Sequence, residues 1–145
     1  IFISICRIPY ARPMSSCVRN WLWSKGIKWK EDELRESNTQ MVIDALRKND
    51  IAILTHPGDK GPFDIRRIAE VCAETDTLME ISTWHGHLTE EEIKIAAEVE
   101  DVKFIISSDA HSPARVGDFV SGLERAINAG LDISRIVNIR ERDKR

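Results

Sequence analysis

The feature that most limits what this chain can fold into is an alternation of short, β-branched apolar runs with longer stretches of helical periodicity. Ile51-Ala52-Ile53-Leu54-Thr55, Thr77-Leu78-Met79-Glu80-Ile81-Ser82 and Phe104-Ile105-Ile106-Ser107 read as buried strands. The residues between them repeat their apolar positions every three or four, as amphipathic helices do. Strands separated by whole helices do not pair as tight hairpins; they line up in parallel with the helices outside. The expectation is an α/β fold, either an open layer or an arc of a barrel. Both architectures place their chemistry at the carboxyl ends of the strands.

The local signals set the expected elements. Ile1 to Ile5 reads as a first strand, broken by Pro9 and Pro13. Residues 6–37, with Trp21, Trp23 and Trp29, show no clean period and are expected to be loop with some helix. Trp21 and Trp23 alternate as on a strand and are expected to plug one end of the core or meet another subunit. Asn38 is a good N-cap for a helix carrying Met41, Val42, Ala45 and Leu46. Asp64 caps a second, with Ile65, Ile68, Ala69 and Cys72 inside. Thr89 and Glu92 have capping-box spacing ahead of Ile93, Ala96 and Ala97. Ser112-Pro113 opens a fourth, whose apolar face is Val116, Phe119, Val120, Leu123 and Ile127, and Arg135–Ile139 reads as a last strand.

Composition bounds the class. At 145 residues and 42% hydrophobic content the chain suits one domain with a real core. Twenty-one basic against 24 acidic residues leave a net charge of -3, too small to steer nucleic acid, a membrane surface or a strongly acidic ligand. Three cysteines, Cys6, Cys17 and Cys72, without Cys-x-x-Cys spacing exclude a disulfide framework and a structural zinc knuckle. A reducing cytoplasm is therefore the expected location. No apolar run approaches the roughly 20 residues that span a bilayer. Ile1–Ile5 lacks the basic flank of a secretory signal.

Polar residues at the strand ends point to a metal. In Ser108-Asp109-Ala110-His111 the acid and the imidazole stand at i and i+2, so an extended backbone would aim both at one pocket. A hard oxygen donor beside a borderline nitrogen donor suits zinc, manganese or iron. His56 closes another strand in Thr55-His56-Pro57-Gly58. Glu80, a carboxylate in an apolar strand, must face solvent, a pocket or a partner. His85 and His87, at i and i+2 in a loop, offer either a metal pair or a mobile, exposed pair, and the second reading is preferred. Arg115, near a helix start, reads either as a contact for a substrate anion or as an ordinary surface arginine. No Gly-x-Ser-x-Gly elbow occurs and Cys72 lies on an inner helical stripe, so serine or cysteine nucleophiles have no support.

Leu54-Thr55-His56-Pro57-Gly58, Leu78-Met79-Glu80-Ile81 and Ser108-Asp109-Ala110-His111, in this order and spacing, resemble the last motifs of the PHP family, the polymerase and histidinol phosphatase metal-dependent phosphoesterases. Asn38-Thr39-Gln40 and Ile136-Val137-Asn138 look like its flanking segments, so the resemblance covers residues 38–140. It implies part of a distorted seven-stranded (β/α)7 barrel holding two or three divalent ions, zinc, manganese or iron, that hydrolyses phosphate esters. Carried over by position, His56, Asp109 and His111 would be metal ligands, Asp109 and His111 would also serve catalysis, and Glu80 would support from behind. Phosphorylated small molecules or nucleotides would be the substrates.

The departures from the family are equally definite. Its opening His-x-His strand and bridging glutamate are absent, and Arg7 of Cys6-Arg7-Ile8-Pro9 stands where a further histidine would fall. Arginine keeps its proton and cannot ligate. With the chain beginning at Ile1, the expectation is a carboxyl-terminal half: residues 1–145 as one partial domain, divergent over 1–37, PHP-like over 38–140, with a charged tail over 141–145. A half-site would hold metal weakly on its own. An open sheet edge would favour a homo-oligomer or pairing with a missing amino-terminal half. The rival reading is a degenerate, non-catalytic module for partner binding or oligomerisation. Metal-dependent amide hydrolysis on a related barrel also uses strand-end His and Asp, but the His-Pro-Gly turn argues against it.

Overall fold

A computed structural model of the chain describes residues 2–4 and 15–139. Cys6, Arg7, Pro9, Pro13 and the tail lie outside the described residues. The elements in chain order are β1 (Phe2–Ser4), α1 (Ser15–Ser24), α2 (Glu31–Lys48), β2 (Ile53–Thr55), α3 (Ile65–Glu74), β3 (Leu78–Ser82), α4 (Glu90–Ala97), β4 (Phe104–Ser107) and α5 (Val120–Asn128). Short 3-10 turns cover Pro113–Arg115 and Ile133–Arg135.

The four strands form one sheet in the order β1-β2-β3-β4, all parallel. Neighbouring helices touch in the same succession, α2 on α3, α3 on α4 and α4 on α5. Among the described residues the sheet does not reverse its strand order, and it has four strands, fewer than the seven that the resemblance implies. No helix among the described residues is long and apolar enough to cross a membrane.

Period-2 alternation divides each strand between two faces. Leu54, Met79, Ile81, Phe104 and Ile106 join the core under the helices, with Ile68, Cys72, Ile93 and Ala96 packed against them. Glu80 and Ser82 of β3 and Ser107 of β4 therefore occupy the opposite face. The register pairs Ser82 with Ser107, so β3 and β4 end level with each other, two residues beyond the level of Thr55, the closing residue of β2.

Two expected helix starts hold. Asp64 accepts the Arg67 amide at the start of α3, and the Thr89–Glu92 capping box opens α4 with both hydrogen bonds made. Asn38 is different: it is a fully buried interior residue of α2, which begins seven residues earlier, after Lys30. The first turns of α2 are mostly charged, held by Lys30–Glu33, Asp32–Arg35 and Glu31–Arg35 pairs, and only Leu34 marks its inner face. That leaves no apolar stripe to read. Asn38 instead donates to Asn20 Oδ1 at 2.8 Å and to the Pro62 carbonyl at 3.2 Å, tying α1, α2 and the loop after β2 together.

Three further expectations give way. Trp21 lies on helix α1 at 60% exposure, and Trp23 donates its indole N–H to Glu31, so these side chains neither alternate on a strand nor plug the core. Val116, Phe119, Val120 and Ile127 are exposed, while Gly122 and Ala126 form the buried side of α5. A methyl group built on Gly122 would stand 2.9 Å from Ile106 Cγ2 and from Thr83 Cγ2, so close packing on β3 and β4 selects the small residues. Finally, Arg135–Ile139 is not a strand. Only Ile136 bridges Phe104, and the Asn138 side-chain amide takes the next place, accepting from Ile106 N at 3.1 Å and donating to Ile106 O at 2.7 Å. One carboxamide thereby satisfies both backbone groups that a neighbouring strand would have paired.

Candidate metal centre

The residues that follow β2, β3 and β4 converge at the carboxyl edge of the sheet. His56 directly follows β2, His85 is three residues past β3, and Asp109 is two past β4. Each offers one ligand atom, and the three atoms lie within 4.8 Å of one another. The His56 and His85 rings stand 4.4 Å apart between centroids, tilted by 38°. His85 Nε2 is 3.1 Å from Asp109 Oδ2, and its Nδ1 is 3.0 Å from Asp59 Oδ1.

The backbone is bent to bring these groups together. His56 (φ 31°) and Asp109 (φ 41°) both adopt positive φ, where a side chain is strained and glycine would be at ease. Glu80 holds one of these bends in place. Its Oε2 accepts the His56 amide at 2.7 Å and its Oε1 accepts the Ser107 hydroxyl, so the carboxylate ties the ends of β2 and β4 across β3. Glu80 thus supports His56 from behind without reaching the cluster's donor set. The loop after β3 is anchored twice: Ser82 Oγ accepts the Trp84 and His85 amides, and Arg125 of α5 donates to the carbonyls of Ser82, His85 and Gly86.

The electrostatics suit a cation. Burial, with the neighbouring His85, holds the His56 imidazole below its usual range, which keeps its nitrogen lone pair available. Burial acts to raise the Asp59 carboxyl, but the Lys60 hydrogen bond and the adjacent His85 outweigh it and keep the group below the ordinary carboxylate range. Two imidazoles and one or two carboxylates are a donor set that zinc, manganese and iron accept. The residues fit a divalent ion.

His56 and Asp109 come together as the strand-end argument expects. His111 does not join them: it is exposed, its Nδ1 faces the Asp109 carbonyl at 2.7 Å, and its ring stacks on Trp84 at 5.4 Å. The positive φ at Asp109 ends the extended backbone that would have aimed both side chains alike. Arg115 lies over Trp84 at 4.7 Å, donates to Thr83 O and pairs with Asp118 at 3.5 Å, along the rim. The sequence offers His85 and His87 either as an i, i+2 metal pair or as a mobile, exposed pair, and favours the second. The structure parts them: the His85 side chain is 18% exposed between two carboxylates, while His87 binds Glu92. The rule that singled out His56, a histidine just beyond a strand, applies to His85 as well.

A cleft of about 390 Å³ opens beside this loop, lined by Trp84, His85, Glu90, Glu124, Arg125 and Asn128. Its arginine is committed to backbone carbonyls and two carboxylates share its wall, so it does not suit a phosphate.

The fold and the cluster define an α/β protein with a candidate cation site on its strand ends. No family model matches the chain. It is similar to proteins named "Probable phosphatase". The one from Shewanella frigidimarina (strain NCIMB 400) is 26% identical over 113 residues, covering 72% of this chain and 45% of the relative. That of Enterobacter sp. (strain 638) is 28% identical over 74% of this chain and 47% of the relative. That of Proteus mirabilis (strain HI4320) is 31% identical over 70% of this chain and 44% of the relative. The chain spans less than half the length of these curated relatives.

Proposed function

We propose that this chain carries part of the catalytic domain of a metal-dependent phosphoesterase of the PHP type. The observation that carries the reading is the convergence of His56, His85 and Asp109 from three successive strand ends. The names of the relatives supply the reaction class. His56 and Asp109 hold the ion, zinc, manganese or iron, and Glu80 fixes the His56 backbone so that its ring meets the site in one orientation. A divalent ion bound there supplies Lewis acidity, acidifies a water and offsets charge on a phosphoryl group. In the hydrolysis the oxygen of water would bond to phosphorus as the bond to the ester oxygen breaks, and the proton that the water gives up would balance the one taken by the departing oxygen. His111, exposed beside Asp109, and Arg115, on the same rim, face the side from which a phosphorylated small molecule or nucleotide would arrive.

The test is hydrolysis of p-nitrophenyl phosphate with manganese or zinc by the purified chain, its His56→Ala and Asp109→Ala variants, and a longer form with the length of the relatives. Turnover in either wild-type form that needs metal and falls at least about 100-fold in both variants supports the reading. A folded chain that takes up no metal and is inactive in both forms would overturn it, and would favour the degenerate binding module.

A further inference from the structure

His85 stands between two carboxylates, one at each ring nitrogen. Nδ1 lies 3.0 Å from Asp59 Oδ1 and Nε2 lies 3.1 Å from Asp109 Oδ2. An imidazole that ligates a cation through one nitrogen keeps its N–H on the other, so it can bind an ion on one side while it donates to a carboxylate on the other. The two sides differ in what else is present. Asp59 is the more enclosed, at 16% side-chain exposure against 31% for Asp109, and Lys60 lies 2.6 Å from its other oxygen. On the Asp109 side the donor atoms of His56, His85 and Asp109 all come within 4.8 Å.

We infer that His85 binds the cation through Nε2 and that Asp59 is its positioning residue, accepting the Nδ1–H and fixing both tautomer and ring orientation. The inference rests on the metal reading above and extends it by a ligand from the loop after β3 and by the carboxylate behind that ligand. The separation of His85 from Asp109 agrees with it. Two donors bound tetrahedrally at about 2.0–2.1 Å from one ion are about 3.3 Å apart, and the Nε2–Oδ2 separation is 3.1 Å. A ligating histidine that donates its second N–H to a carboxylate is held in the correct tautomer and made more basic. Here the backbone is held too. Ser82 Oγ accepts the His85 amide at 3.2 Å, and Arg125 donates to the His85 carbonyl at 3.2 Å and to the Gly86 carbonyl at 2.6 Å. Little freedom remains for the ring to lose on binding a cation.

Cobalt(II) binding to the full chain tests this, read by visible absorption and by competition with a chelating dye. Asp59→Ala should weaken binding about 10–100-fold. His85→Ala should weaken it at least as much and change the absorption bands, and adding Asp59→Ala to His85→Ala should cost nothing further. Long-range proton–nitrogen NMR of the zinc-loaded wild type should show His85 protonated at Nδ1 and bare at Nε2, a readout that needs no variant to fold. If wild type binds cobalt and His56→Ala abolishes it while His85→Ala changes neither affinity nor spectrum, the inference fails and the metal reading survives. An Nε2–H tautomer in the loaded protein overturns the inference as well. A folded wild type that takes up no cobalt overturns both.

Discussion

Glu80 brings a carboxylate into the sheet at 5% exposure, and both of its oxygens are used, one by the His56 amide and one by the Ser107 hydroxyl. Removing it strands two buried donors, each of which costs roughly 1–3 kcal/mol when left unpaired. Glu80→Ala should therefore lower the unfolding free energy in urea by about 2–4 kcal/mol. Glu80→Gln, which keeps an acceptor in place, should cost less, about 1–2 kcal/mol. A loss below about 1 kcal/mol in Glu80→Ala would show that these two hydrogen bonds do not hold the His56 bend. Cys72 gives a second prediction. Burial pushes its thiol up to about 12, whereas Cys17 is exposed. Iodoacetamide at about pH 8 should label Cys17 and spare Cys72 until denaturant is added, because only the thiolate reacts. Peptide mass spectrometry reads the two sites separately, and native labelling of Cys72 would show that α3 does not sit closed over β3.

The loop between β3 and α4 is joined to the loop after β2 by His87. Gly58 (φ 105°) approaches so closely that a methyl group there would stand 2.7 Å from His87 Nδ1, and His87 in turn binds Glu92 of α4 at 3.0 Å. The Glu92 hydrogen bond raises His87 above its ordinary 6.5. Burial acts to raise Glu92, but the His87 and Thr89 hydrogen bonds outweigh it and hold the carboxyl below its ordinary 4.5. The His87 contribution to stability is complete below pH 6.5 and is lost as pH rises through the raised native value. That of Glu92 is complete above pH 4.5 and is lost as pH falls through the depressed one. The stability gap between wild type and His87→Gln, measured in chelator, should thus be widest between pH 4.5 and 6.5 and shrink toward alkaline pH; a gap that is flat with pH would mean the pair acts by packing alone. The contact of α5 with the sheet makes the opposite kind of demand. Gly122→Ala improves helix propensity by up to about 1 kcal/mol. It also drives a methyl against two branched side chains 2.9 Å away, so we expect a net loss of about 1–2 kcal/mol in urea melts. A stabilised variant would show that α5 can back off the sheet.

On the scale of the molecule, three strand ends that are far apart in the chain meet at one place, so an ion held there couples the whole sheet. At about 100 times its dissociation constant a ligand that binds only the folded state adds about 2.7 kcal/mol. For a chain of this size that corresponds to a rise in melting temperature of about 5–10 °C. Zinc or manganese should produce such a shift in wild type and none in His56→Ala or Asp109→Ala, measured by calorimetry; an equal shift in all three would place the ion elsewhere. Much of this was legible in the residues alone. The α/β class follows from the alternation, and the caps at Asp64 and Thr89–Glu92 are visible because a cap is settled within one helical turn. His56 and Asp109 were visible because a polar residue after an apolar strand has few other reasons to be there. Tertiary structure decided the rest. It buried Asn38, turned Val120 and Ile127 of α5 outward while Gly122 and Ala126 took the closest approach to the sheet, and let one Asn138 side chain stand in for a strand. It also put His85 rather than His111 against the Asp109 carboxylate. Local patterns determine which segment becomes strand or helix, since those choices rest on neighbours a few residues away. Which side chains share a site depends on φ angles at the strand ends and on anchors such as Glu80 and Arg125, which exist only once distant segments have packed.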